Sequence, residues 1–414
     1  MSLVNIAVLL ISYPIYIKSL GMEVYGLWVL ISVLINISSS VETGLFDGLV
    51  RSFSKSYSDG KFEKMGNEIY SYLVFSVFLS IVISAFVAIS SNLFILALSV
   101  PDQYTVAVID MFPYISVLIA ISLVQGGIKA VLTGMGLYQY TNYWYTFARI
   151  AQLLLGVLLL YKGYEIWSLL FSTILFHLLL LFLYSYKLLL LKEFNLNHSS
   201  FKLSFLYGTL NFSSKIAFSR IFQKISIDEM FKVIFSKYFG LELLAAYEVA
   251  FRSIGLIRNV ANNMMKPVIN MVNDLANQGG YQGIKNFIHD IHKKYTRIWM
   301  LFFIMSFFIF EYAINLWLPF QDNSDITSYF KILLVGYVFN LYAIPYYYVI
   351  AGWGDANSII KSVLIACLSL YLIIFIGSLL GTDNDLWLIK SYALMLVINA
   401  FYFKYIYNKK INQG

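Results

Sequence analysis

Long apolar runs broken by short polar connections dominate this chain. A helix needs about 20 mostly apolar residues to cross a bilayer. By that ruler the pattern predicts twelve spans. Six lie at 3–17, 24–46, 70–98, 108–132, 144–160 and 165–186. After a polar connection come 205–235, 243–272, 296–318, 328–350, 358–380 and 386–407. The predicted fold class is all-α integral membrane, about twelve transmembrane helices in two six-helix lobes, 1–195 and 196–414. The first span is short. It has neither the basic leader nor the small-residue cleavage site of a secretory signal, so it reads as a retained helix.

Composition agrees with the pattern. Hydrophobic residues make up 60% of the chain and charged residues 12%, about half the share in an ordinary soluble domain. Aromatics reach 18%, which suits many membrane–water boundaries. Cys367 is the single cysteine, so no intrachain disulfide can form. The six prolines are scattered, and no Gly/Ser- or Pro-rich linker marks an appended soluble domain.

Basic residues fix an expected orientation, because cytoplasmic connections retain Lys and Arg. With the N-terminus inside, the even connections hold Arg51, Lys55, Lys61, Lys64, Lys129, Arg149, Lys187, Lys192, Lys202, Lys285, Lys293, Lys294, Arg297 and Lys361. The tail adds Lys404, Lys409 and Lys410, for seventeen in all. The odd connections hold five: Lys18, Lys162, Lys237, Lys331 and Lys390. They carry acids instead, at Asp102, Asp322, Asp325, Asp383 and Asp385. This split supports twelve spans with both termini cytoplasmic.

The remaining seven basic residues fall inside spans seven and eight: Lys215, Arg220, Lys224, Lys232, Arg252, Arg258 and Lys266. Asp228, Glu229 and Glu248 lie with them. Charges at bilayer depth are costly and normally face a wet cavity or one another. A surface-lying amphipathic helix is the other reading of span seven. It would invert every later span and spoil the charge alternation. In span eight, Glu248, Arg252, Gly255, Asn259, Asn262 and Lys266 follow a 4-3-4-3-4 spacing, which is one helix face. In span seven, Arg220, Gln223, Lys224 and Asp228 share a face. Pairs at i,i+4 are expected for Glu248 with Arg252 and for Lys224 with Asp228, and they leave a cationic surplus.

Span two has a parallel stripe, Asn36, Ser40, Thr43, Asp47 and Arg51, with Glu42 one residue off the line. Spans two and eight also resemble each other. Lys18-Ser-Leu-Gly21-Met-Glu23-Val-Tyr25 leads into the first, and Lys237-Tyr-Phe-Gly240-Leu-Glu242-Leu-Leu-Ala-Ala-Tyr247 into the second. Six spans separate equivalent points, so both halves point the same way. This predicts parallel repeats related by a pseudo-two-fold along the membrane normal, with a substrate site between the halves.

The run Leu20-Gly21-x-Glu23-x-Tyr25-Gly26-Leu27-Trp28, followed by Glu42-Thr43-Gly44-Leu45, resembles the opening of Wzx-type O-antigen and capsule repeat-unit flippases. Ala246-Tyr247-Glu248-Val249-Ala250-Phe251-Arg252 resembles that family's second-half motif. These proteins belong to the multidrug/oligosaccharidyl-lipid/polysaccharide exporter superfamily. One departure is Glu42, where many members carry Asp. The resemblance implies an undecaprenyl-diphosphate-linked oligosaccharide moved from the cytoplasmic to the outer leaflet of the bacterial inner membrane. It implies alternating access by rocking of one lobe on the other. Membrane lipids, and polymerase and chain-length proteins of the same pathway, would be its partners, with no nucleic acid and no cofactor. Arginine binds phosphate oxygens bidentately and lysine acts as a point charge. Arg220, Lys224 and Arg252 are therefore expected at the diphosphate, with Arg258 and Lys266 as further candidates. Asn36, Asn259 and Asn262 are expected at the sugars. Glu42, Asp47, Asp228 and Glu248 are the titratable candidates for coupling to an ion gradient.

Catalytic chemistry finds little support. His177 stands alone in an apolar span and reads as a packed residue. His289 and His292 are spaced i,i+3, but the adjacent Lys293 and Lys294 suggest a solvated face and no third metal ligand converges. Met264 and Met265 read as packing, and Cys367 has no basic partner to activate it. A Gly-rich phosphate cradle is missing from the sequence, so no ATPase is expected. Rival functions are a membrane polymerase or glycosyltransferase, a multidrug exporter of the same superfamily, and a non-transporting scaffold or channel. Short outer connections argue against the first. Seven basic residues against three acids in spans seven and eight argue for an anionic substrate over a cationic drug.

Overall fold

The computed structural model describes residues 2–191, 200–201, 203–205, 218–382 and 384–413. The side chains of 2–6, 41–49, 51, 52, 55, 270, 273–280 and 413 lie outside the described residues. Among the described residues every element is helical. In chain order these are α1 (Ser2–Ser58), α2 (Phe62–Ile89), α3 (Ser91–Leu98), α4 (Asp102–Gly134), α5 (Tyr138–Tyr161) and α6 (Glu165–Leu190). After helical residues 218–223 comes a π-helical turn at Lys224–Glu229. Then follow α7 (Met230–Met265), α8 (Val268–Ile291), a second π turn (His292–Thr296), α9 (Arg297–Trp317), α10 (Ser324–Gly352), α11 (Ala356–Leu379) and α12 (Asp385–Gln413).

Two glycines decide how the polar spans are joined. Spans one and two form a single element, α1, bent at Gly21 with φ 79° and ψ 165°. Spans seven and eight meet in the same way at Gly240, with φ 85° and ψ 177°. Positive φ with extended ψ is a region essentially restricted to glycine. The repeat spotted in sequence is thus a repeat of backbone conformation. Gly26, just beyond the first bend, serves a different need: a Cβ there would collide with the backbone of Leu241.

Other boundaries moved for local reasons. Span three breaks at Ser90 into α2 and α3. Span eight ends at Met265 and not at 272, because Pro267 follows, and a proline disfavours helix in the residue before it and cannot donate to the ladder. The predicted connection beyond it is helical α8, which runs through the second π turn into α9. The lobe boundary at 195/196, and residues 206–217 of span seven, lie outside the described residues.

The chain forms two compact units, Met1–Leu241 and Glu242–Gly414. Within the first, α4 is the central helix and packs on α1, α2 and α6. Its core includes Phe53, Met65, Ile69, Tyr72, Val131, Leu132, Phe176 and Tyr184. Within the second, α10 is central and packs on α8, α9, α11 and α12. These are spans four and ten, six apart, and their apolar stretches are 50% and 61% buried against 11% for those of α5 and of the Tyr281–Trp317 segment. Asp355 caps α11 by accepting from the Ser358 backbone N–H and pairs with Lys410 of α12 at 2.6 Å. Burial alone would raise its carboxyl, but the hydrogen bonds from Lys410 and Ser358 hold it below its ordinary value.

Nine helical segments are long and apolar enough to cross a membrane among the described residues. The count treats the bent α1 as one segment, and the charged α7 falls short of it. Large apolar side chains stay on the outside, among them Ile89, Leu96, Phe182, Phe308, Leu316, Leu368 and Leu379. Such faces are stable in lipid and not in water. The protein is a multi-pass membrane protein.

Candidate functional site

The helix leading to Gly240 carries the first group of predicted residues. Arg220 is exposed. Lys224 lies 3.5 Å from Asp228, the expected i,i+4 pair, and 3.1 Å from Glu229. A π turn accommodates one more residue than an α turn, so its i and i+5 positions meet. That geometry brings in Glu229, fully buried, which also pairs with the buried Lys232 at 3.4 Å. Two lysines therefore sit among two carboxylates. The sequence noted Glu229 and Lys232 but gave them no role, because i,i+4 reasoning does not foresee a π turn. Lys215 lies outside the described residues.

Beyond Gly240, α7 presents the second group. Glu248 is buried and accepts from the Nε–H of Arg252 at 2.6 Å, while the Arg252 side chain remains 45% exposed. Asn259 and Lys266 are exposed, and Asn262 is half-buried. Lys266 falls one residue past the end of α7. At Gly255, in the middle of this stripe, an added Cβ would meet nothing within 4 Å. The stripe therefore borders open space. Arg258 points elsewhere: its Nε–H donates to Asn340 at 3.1 Å, and its guanidinium lies 5.6 Å from the Tyr337 ring centre. Among the described residues no carboxylate pairs with Arg258 or Lys266. Beside the stripe, Phe251 packs against Tyr337 and Tyr392.

In α1, Asn36 is half-buried, and its backbone carbonyl accepts from Ser39 and Ser40. The side chains of Glu42 and Asp47 lie outside the described residues. His177 is not isolated: its Nδ1 lies 3.1 Å from Gln125 Oε1. His289 is exposed, while His292 bonds Thr296 at 3.0 Å and lies against the rings of Tyr342 and Tyr346. Among the described residues no group of three or more His, Cys, Asp or Glu is arranged to hold a metal ion.

Arg149 requires a correction. The sequence counted it with a cytoplasmic connection, on a span starting at 144. Helix α5 begins earlier, at Tyr138, because the aromatic and amide residues before 144 are helical as well. Arg149 therefore lies eleven residues into the helix, about 16 Å along it.

No protein-family model matches the chain, and no curated protein does. Solved structures do match. One is an inward-facing multidrug-resistance MATE-family transporter of the MOP superfamily: TM-score 0.84, 13% identity, covering 100% of this chain and 94% of that one. The fold is that of MOP-superfamily transporters. A second match is the lipid II flippase MurJ in an inward closed conformation, with TM-score 0.78 and 11% identity over 97% of this chain and 86% of that one. A third is a MOP-superfamily transporter from Pyrococcus furiosus described by a binding pocket of reversed polarity, with TM-score 0.68 and 14% identity over 98% and 95%. At these identities the likeness establishes the fold alone.

Proposed function

We propose that the protein is a flippase for polyprenyl-diphosphate-linked oligosaccharide repeat units, serving O-antigen, capsule or exopolysaccharide assembly. The observation that carries this reading is the polar stripe of α7, cationic at Arg252 and Lys266 and bordering open space at Gly255. A diphosphate carries about two negative charges and needs such contacts to leave water. The fold supports it too, since MurJ, which shares it, is a lipid II flippase. We assign Arg220, Lys224 and Arg252 to the diphosphate, with Arg258 and Lys266 as further contacts. Asn36, Asn259 and Asn262 are assigned to the sugars. Glu42, Asp47, Asp228 and Glu248 remain the proposed titratable groups for ion coupling. The proposal keeps two lobes, 1–195 and 196–414, alternating access, an inner-membrane location and cytoplasmic termini. Polymerase and chain-length proteins of the same pathway are its proposed partners.

A second reading, a multidrug-type exporter, is favoured by the higher TM-score of the MATE-family match. Deleting the gene separates the two. Loss of surface polysaccharide with lipid-linked repeat units accumulating on the cytoplasmic side is expected, and normal polysaccharide with drug sensitivity would overturn the flippase reading. Within it, Arg252→Ala should abolish export and Arg252→Lys retain part, because a lysine keeps the charge but not the fork. Unchanged export in Arg252→Ala would remove the diphosphate role from that residue.

A further inference from the structure

The first unit holds two cations that the export reading leaves unused. Lys129 of α4 and Arg149 of α5 are both half-buried, and each lies within 5.6 Å of the Tyr145 ring centre. The Arg149 guanidinium also lies 4.5 Å from the centre of the Phe176 ring. Its Nε–H and one Nη2–H donate to the Tyr145 hydroxyl at 3.3 and 3.1 Å. One Nη1–H donates to Gln152 Oε1 at 2.7 Å. Gln152 is held in turn, because its amide N–H donates to Thr173 of α6 at 3.0 Å. His177, bonded to Gln125, is within electrostatic reach of both cations.

Depth makes this arrangement unusual. Counted from the shared side where α4 ends and α5 begins, Gln125, Arg149 and His177 lie about 13, 16 and 20 Å along their helices. Arg149 is thus near the mid-length of α5, while Lys129, five residues from the end of α4, lies about 8 Å in, and both helices are long and apolar enough to cross a membrane. Charges there are normally paired. Among the described residues neither Lys129 nor Arg149 has a carboxylate partner. A guanidinium offers five N–H donors and an ammonium three. Arg149 uses three of its five, and among the described residues the polar contact seen for Lys129 is the Tyr145 ring. Five donors and two positive charges remain for a ligand.

We propose that Lys129 and Arg149, positioned by Tyr145, Gln152 and Thr173, form a second oxyanion-binding centre that takes a phosphate or diphosphate group. Forked donors on Arg149 suit two phosphate oxygens, and Lys129 adds a point charge. The proposal deepens the flippase reading and rests on it only for the source of the oxyanion, a lipid-linked head group in place of a free anion.

The test uses the full chain in phosphatidylcholine nanodiscs with labelled inorganic pyrophosphate at low salt. In the Lys129→Gln/Arg149→Gln double variant, bound pyrophosphate should fall by about one per chain, and in either single variant its affinity should drop about 10-fold. Arg149→Lys should recover part of the loss, which an effect on folding alone would not give. Lys61→Gln, an exposed lysine elsewhere, should bind like the parent. A double-variant isotherm superimposable on the parent's, from monodisperse protein, would overturn the centre. Arg252→Ala/Lys224→Ala removes two of the contacts assigned to the first site in a parallel arm, so failure of the first assignment and failure of this one read out separately. Competition by undecaprenyl diphosphate for the Arg149-dependent component identifies a lipid head group as the ligand. Arg149-dependent binding that the lipid does not displace supports the centre and assigns it to a free anion.

Discussion

Two regions of the first unit hold cations on helices, and they treat them differently. At the π turn, Lys224 and Lys232 lie against the carboxylates of Asp228 and Glu229. In the cluster made by α4, α5 and α6, Lys129 and Arg149 are matched by aromatic faces and amides but by no described carboxylate. A charge count along the sequence gives the first region the surplus and the second none. The geometry reverses that. A cation's availability depends on which groups its helix turns toward it, and a single π turn changes that set.

Glu229→Gln should have the largest effect, because it removes the carboxylate seen against the buried Lys232, at about 3–5 kcal/mol. The apparent melting temperature in detergent measures it, and Glu229→Gln/Lys232→Met should regain most of the loss. Next, Gly21→Ala and Gly240→Ala should each cost about 1–3 kcal/mol by forcing an alanine into glycine-only backbone. Equal losses at the two bends would extend the backbone repeat to energetics, and a loss at one alone would confine the constraint to that bend. The smallest effect should come from Arg252→Met and Arg149→Met compared side by side. The first removes the Arg252 donor seen against buried Glu248, at about 1–2 kcal/mol. The second leaves no carboxylate behind and should stay within about 1 kcal/mol of the parent. Equal destabilisation would mean that Arg149 is anchored as firmly as Arg252.

Much of this architecture was legible in the apolar pattern. Ten of the twelve predicted spans rest on hydropathy that needs no context. Spans seven and eight needed the charge alternation as well, and α7 indeed falls below the apolar threshold that its neighbours pass. The bends at Gly21 and Gly240 were legible as a short repeat, because a conformation that only glycine adopts leaves its mark on sequence. Arg149 was misread for a physical reason. The segment Tyr138–Tyr145 mixes rings, amides and a threonine, which look alike in a boundary loop and in a helix turned toward other helices. The Lys224–Glu229 contact is not legible in the sequence because its five-residue spacing is one that α-helical periodicity never proposes, whereas the Glu229–Lys232 contact has an ordinary i,i+3 spacing.

The single-residue bend at Gly21 has a mechanical consequence. A flexible connection between two helices would absorb displacement as slack, whereas one glycine has two dihedral angles and nothing to pay out. From Gly21 to Ser58 the chain stays helical, a rod of about 55 Å. Turning such a rod by about 10° at its pivot carries the far end through about 10 Å, several times the rise of a helical turn's single residue. Because Phe53 near the far end is buried in the core of the same unit, such a turn would have to carry α4 with it, and the close approach of Gly26 to Leu241 holds the rod beside its pivot.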